Sequence, residues 1–142
     1  MTLPLIPVAR KRSYPPRVSR FTEPFWSGLG QGQWRSTCCA ACGKFTFPPK
    51  PICPYCWSDR MAWQDLSARG TLYSWTRVHS APRVFVDEAP YAVCVVDLDI
   101  GLRIATRMIE GPGGAEFRCG IPMEVVVLQF EDGPLFASRP LS

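Results

Sequence analysis

Two closely spaced pairs of cysteines constrain this chain more than any other feature. Cys39-Ala-Ala-Cys42-Gly43 and Cys53-Pro54-Tyr55-Cys56 each have C-x2-C spacing, with ten residues between the pairs. A C-x2-C turn sets two sulfurs on one tight knuckle, and two knuckles joined by a short hairpin place four soft thiolates at tetrahedral corners. That is the donor set of a structural Zn²⁺, and the spacer with Phe45, Phe47 and Pro48-Pro49 suits the hairpin. Four thiolates leave no open position, so the single expected zinc is structural rather than catalytic. The competing interpretation, two redox C-x-x-C pairs, lacks a surrounding βαβ pattern. Cys38 abuts Cys39 and could replace it with C-x3-C spacing, but the knuckle turn favours Cys39. Cys94 and Cys119 fall outside the cluster and read as small thiols.

The seven cysteines are an odd number, and the N-terminus carries Pro4, Pro7, Pro15 and Pro16 in place of an apolar leader. A reducing, cytoplasmic setting is therefore expected rather than a disulfide framework. The longest apolar run is the six residues from Tyr91 to Val96, far short of the roughly 20 that cross a bilayer as a helix. With 15 prolines and 11 glycines spread over 142 residues, few windows remain for long helices, so short strands and turns should dominate.

The chain divides into zones. Residues 1–20 lack a hydrophobic period and read as an extended basic arm, ready to order against a partner. Thr22, Glu23 and Pro24 mark a helix start, and Phe25, Trp26 and Leu29 follow at helical spacing before Gly30 and Gly32, placing a short helix in residues 21–34. The cysteine region occupies residues 35–66. From residue 67 to 142 the pattern alternates with a period of two, giving strands over Gly70–His79, Tyr91–Asp97, Leu102–Met108, Met123–Phe130 and Leu135–Ser138. Five short strands in about 70 residues suit a small closed barrel of the OB type.

The net charge of +4 is unevenly distributed. Residues 1–35 carry six basic side chains against Glu23, whereas residues 36–142 carry ten basic and eleven acidic ones. Within 70–142, six arginines face nine acids, the wrong balance for a groove that tracks a phosphate backbone, so nucleic-acid binding is the alternative and not the leading expectation. No Gly-rich phosphate loop or G-x-S-x-G elbow is present. His79 is the one histidine; pairing it with Cys94 or Cys119 as a nucleophile is formally open, but a surface role is the simpler expectation. Asp97 and Asp99 likewise read as a solvated strand end rather than paired catalytic carboxylates.

Taken in order, Glu23-Pro24-Phe25-Trp26, the two knuckles, Phe47-Pro48-Pro49-Lys50, Gly70-Thr71-Leu72-Tyr73-Ser74-Trp75-Thr76-Arg77-Val78-His79, Pro90-Tyr91-Ala92-Val93 and Gly120-Ile121-Pro122-Met123-Glu124-Val125 resemble a known family. These are small zinc-ribbon/OB-fold proteins, formerly a domain of unknown function, that accompany thiolase-fold enzymes in acyl-CoA metabolism. The resemblance runs over about residues 21–140. It implies a mainly β chain: a short N-terminal helix, a rubredoxin-like zinc ribbon and a five-stranded OB-fold barrel. It also implies a subunit without chemistry of its own, bound to a thiolase, condensing enzyme or thiolase-like aldolase in a heterotetramer or larger complex, with no membrane association. On that footing it helps to bind the CoA thioester, with Arg83, Arg103 and Arg107 as candidates for the CoA phosphates. Tyr73 and Trp75 would line an acyl or adenine surface or simply pack the barrel. Two departures stand out: Trp57 follows Cys56 where the family places Gly, and the Arg/Pro arm is long.

Overall fold

The structure, a computed structural model, describes residues 2–142. A strand β1 (Leu5–Pro7) precedes helix α1 (Glu23–Leu29). The cysteine region contains β2 (Arg35–Cys39), β3 (Phe45–Thr46) and β4 (Met61–Asp65), and the barrel contains β5 (Arg69–Val78), β6 (Tyr91–Leu98), β7 (Arg103–Met108), β8 (Pro122–Phe130) and β9 (Gly133–Pro140). A 3₁₀ turn over Arg83–Glu88 sits between β5 and β6.

The barrel closes as the alternation requires. β5 pairs antiparallel with β6, β6 with β7 and β8 with β9, while β5 also pairs with β8. A parallel contact of β7 with β9, Arg107 opposite Ala137, completes the ring of five strands. Along β6 every second residue is buried, so Ala92, Cys94, Val96 and Leu98 fill the interior with Ile104 and Met108 of β7. Gly101, at φ +97°, permits the tight β6–β7 turn. Tyr73 is the extra residue of a bulge in β5, since Leu72 opposes Val96 while Ser74 opposes Val95.

The arm is not free along its whole length. β1 adds to β8 in parallel, Leu3 is buried in the core with its N–H on the Gly32 carbonyl, and Ile6 and Val8 cover Val126, Leu128 and Ala137. This extra layer buries Val125, Val126, Val127 and Leu128 in succession, both faces of β8. Further on, the Arg12 guanidinium donates to the carbonyls of Asp132 and Pro134 at the β8–β9 turn. The chain itself supplies the surface against which the arm orders.

Helix α1 forms where Glu23 and Pro24 open its first turn, but the Thr22 side chain does not cap it; its hydroxyl accepts from the Ser19 N–H instead. The helix matters for what it carries. Phe25 and Trp26 meet Trp34, Phe47 of the cysteine hairpin and Phe136 of β9, with ring centroids 5.0–6.4 Å apart. This aromatic cluster joins helix, ribbon and barrel. Buried rings of this kind each contribute on the order of 3–5 kcal/mol when measured by truncation.

Candidate functional site

The two knuckles are built alike. The N–H of Cys39 bonds the Lys44 carbonyl and that of Cys53 bonds the Ser58 carbonyl, both at 2.9 Å. Gly43 and Trp57 then donate to the carbonyls of Cys39 and Cys53 at 2.8 and 2.9 Å. Both residues require positive φ, +76° for Gly43 and +65° for Trp57. The second knuckle therefore keeps the turn that glycine would favour and holds a tryptophan in the left-handed region. The strands of the three-stranded sheet β3-β2-β4 fix the knuckles face to face.

The resulting sulfurs converge. Cys39 Sγ lies 3.6 Å from Cys56 Sγ, Cys42 Sγ lies 3.6 Å from Cys53 Sγ, and all four sit within 4.8 Å of one another. With Zn–S near 2.3 Å, a regular tetrahedron has sulfurs about 3.8 Å apart, so the cage matches the ion. The N–H of Cys42, 3.4 Å from Cys39 Sγ, and that of Ala41 stabilise a thiolate there and bring the Cys39 pKa down to about 6. At Cys56 the Ser58 N–H acts in the same sense, but the neighbouring sulfurs and burial outweigh it and push the thiol up to about 11. Crowded thiolates repel, and only a cation between them lets all four ionise. Cys38 turns away, its thiol toward the Gly43 carbonyl, so the spacing's preference for Cys39 matches the geometry.

The candidate arginines lie on the loop and strand face the sequence suggests, but each of the two strand residues is held by a carboxylate. Arg103 and Arg107 share a strand face but stand about 13 Å apart along it. Arg103 lies 3.7 Å above the Tyr73 ring and grips Asp97 through Nε and Nη2 at 2.6 and 3.2 Å, and these charged hydrogen bonds hold the Asp97 carboxyl below its ordinary range. Arg107 bonds Glu88 at 2.7 Å over Tyr91, and Arg10 reaches the same carboxylate at 3.2 Å. Burial works against the charge on Glu88, but Ser13, Arg107 and Arg10 more than offset it and lower its pKa. Arg83 is exposed on the 3₁₀ turn. The three candidates do not converge on one anion.

Arg107 does line an open cleft of about 330 Å³, together with Val8, Arg10, Arg77, Phe117 and Phe130. Arg10 and Arg77 were not singled out by sequence; only folding brings the arm beside the ends of β5 and β7. Trp75 is half-buried with its ring edge-on to Phe117 at 5.3 Å, and Tyr73 is exposed beneath Arg103. The structure keeps His79 and Cys94 in different environments. Cys94 faces inward onto Thr106 at 3.3 Å, whereas His79 is exposed just beyond β5. Among the described residues no helix is long and apolar enough to cross a membrane.

Comparison with known proteins agrees with this architecture. Residues 26–62 match the family described as the ChsH2 rubredoxin-like zinc ribbon domain, and residues 63–128 match the ChsH2 C-terminal OB-fold domain. The chain is 30% identical over 128 residues to the 3-oxo-4,17-pregnadiene-20-carboxyl-CoA hydratase alpha subunit of Mycobacterium tuberculosis, covering 88% of this chain and 39% of that protein. It is 34% identical over 93 residues to the benzoylsuccinyl-CoA thiolase subunit BbsA of Thauera aromatica, covering 63% of this chain and 59% of that one. The matched region thus spans between 29% and 59% of the length of the first curated relatives it matches. A solved Ltp2-ChsH2(DUF35) aldolase chain superposes with a TM-score of 0.75 at 27% identity, covering 90% of this chain and all of that one. The four-thiolate ribbon, the closed five-stranded barrel behind it and these matches together show that the chain belongs to the ChsH2-type family of zinc-ribbon/OB-fold proteins.

Proposed function

We propose that this chain is a non-catalytic subunit that binds a thiolase-fold enzyme of acyl-CoA metabolism and helps to hold its CoA-linked substrate. The observation that carries the proposal is the superposition of nearly the whole chain on the ChsH2(DUF35) component of an aldolase complex, joined to its likeness to a thiolase subunit. The described side chains suit holding better than reacting. The Cys94 thiol is buried in a run with Thr106 and Ser138 and its pKa is raised by that burial, while the zinc cysteines are committed to a closed cage. The cleft between arm and barrel supports the substrate role: Phe117 and Phe130 give it apolar walls, and Arg77 and Arg10 stand at its edge. An acyl thioester with a phosphorylated carrier has that mixed character.

Nucleic-acid binding, the alternative, is less favoured by the same geometry. Barrel arginines that a phosphate backbone would need are engaged internally, Arg103 with Asp97, Arg107 with Glu88 and Arg139 with Glu124. The test is co-expression with a thiolase-fold enzyme of acyl-CoA metabolism from the same organism, followed by size exclusion. Co-elution as a heterotetramer or larger complex is expected. Separate elution under low and physiological salt overturns the proposal.

A further inference from the structure

Trp57 has properties that the fold does not explain. Its backbone is held at φ +65°, the one non-glycine residue at positive φ among those described, and its side chain is 80% exposed. A left-handed conformation costs an L-residue with a Cβ, and a glycine would remove that cost. The ring, for its part, packs on almost nothing in this chain. Beside it on the same knuckle Tyr55 is 57% exposed and Ile52 49% exposed. Strain retained for a side chain the fold leaves unused points outward, to something the side chain touches elsewhere.

Charge tells what kind of surface that is. Between Gly43 and Arg60 the exposed side chains of Lys44, Lys50 and Arg60 face a single acid, Asp59. Lys44 Nζ lies 4.7 Å from the Tyr55 ring centroid, so at least one cation sits directly against an exposed aromatic ring of this segment. The zinc cage beneath carries negative charge, but knuckle N–H groups point at its sulfurs and satisfy them locally. Exposed Trp57, Tyr55 and Ile52 within six residues of one another, among exposed Lys44, Lys50 and Arg60, have the aromatic and basic composition of a protein-binding hot spot. Pairing the patch with itself would set positive charge on positive charge, which disfavours a second copy of this chain as the occupant.

Resting on the function proposed above, we infer that the second zinc knuckle is the docking point for the thiolase-fold partner: Trp57 enters an apolar pocket of that enzyme, and Lys44, Lys50 and Arg60 meet carboxylates around its mouth. The ribbon backbone is already ordered, so binding need fix only the side chain itself.

The experiment measures affinity by calorimetry between the zinc-loaded chain and a purified thiolase-fold enzyme of acyl-CoA metabolism from the same organism. Trp57→Gly is expected to weaken binding about thirtyfold or more while the isolated chain melts at a higher temperature and keeps its zinc. Trp57→Ala, which removes the ring but keeps the Cβ, is expected to weaken binding equally without that rise in melting temperature. Lys44→Glu is expected to weaken binding and flatten its dependence on salt. Binding of Trp57→Gly to the enzyme within twofold of the wild-type affinity overturns the docking site and leaves the proposed function standing. A wild-type chain that does not bind the enzyme overturns both. A wild-type homodimer that dissociates in Trp57→Gly assigns the patch to a second copy and likewise overturns the inference.

Discussion

Replacing Trp57 by glycine should make the isolated chain more stable, an unusual expectation for removing a tryptophan. At φ +65° the Cβ costs roughly 1–2 kcal/mol relative to the right-handed region. Glycine removes that cost but adds backbone entropy to the unfolded chain, about 0.5–1 kcal/mol in the opposite sense. Little packing is lost, because the side chain is 80% exposed, and unfolded ensembles themselves already bury about 10–40% of such surface. The balance is a gain of about 0.5–1 kcal/mol, or roughly 2–4 °C in Tm for a chain near this size. The assay is scanning calorimetry with zinc content measured on the same samples, so that metal loss is not mistaken for a fold effect. Gly43→Ala on the first knuckle is the mirror control, since its φ of +76° should make alanine destabilising. A lower Tm for Trp57→Gly at equal zinc would refute the reasoning, because the indole would then be contributing more to the fold than the strain removes.

Three further outcomes follow from the same structure. The purified chain should carry about one zinc, Cys39→Ser or Cys56→Ser should lose it and destabilise the ribbon, and Cys94→Ala should retain it; elemental analysis decides. Phe25→Ala should cost about 3–5 kcal/mol in denaturant unfolding and loosen ribbon and barrel together, because Phe25 touches Trp34, Phe47 and Phe136 at once; separate loss of one unit alone would contradict a shared core. Glu88 has a folded pKa below its unfolded one, so its contribution is present above the unfolded value and is lost as pH falls through the folded value. Glu88→Gln should therefore lower stability at neutral pH and reduce the acid-side fall in Tm; an unchanged profile would show that the Arg10–Glu88–Arg107 contact contributes nothing.

Much of the fold was legible because its determinants are local. The alternation in Tyr91–Leu98 and Arg103–Met108 marks inward and outward faces, and the C-x2-C pairs specify the metal cage by spacing alone. The second knuckle was legible only up to a choice: a tryptophan in the glycine position either accepts positive φ or bends the turn, and the turn geometry prevails at +65°. What was hidden depends on partners distant in sequence. β1 is three residues long and carries Pro7, so it has no strand signal of its own; it exists because β8 offers an edge at Val127 to Gln129. The partners of the arginines were hidden for the same reason. Nothing in the sequence ties Arg107 to Glu88 or Arg103 to Asp97, and a guanidinium already held by a carboxylate is a poorer anchor for a phosphate than Arg77 beside the cleft.

In the function proposed for it, this chain holds and docks while its partner reacts. The direct measurement is acyl-CoA thioester or retro-aldol turnover by this chain alone, by the thiolase-fold protein alone and by the two together. The account predicts no turnover by this chain alone, robust turnover by the mixture, and only a modest decrease when His79→Ala is used, since the exposed imidazole can at most border the substrate path. Robust turnover by this chain alone that disappears in His79→Ala would contradict it, and would make the chain an enzyme in its own right.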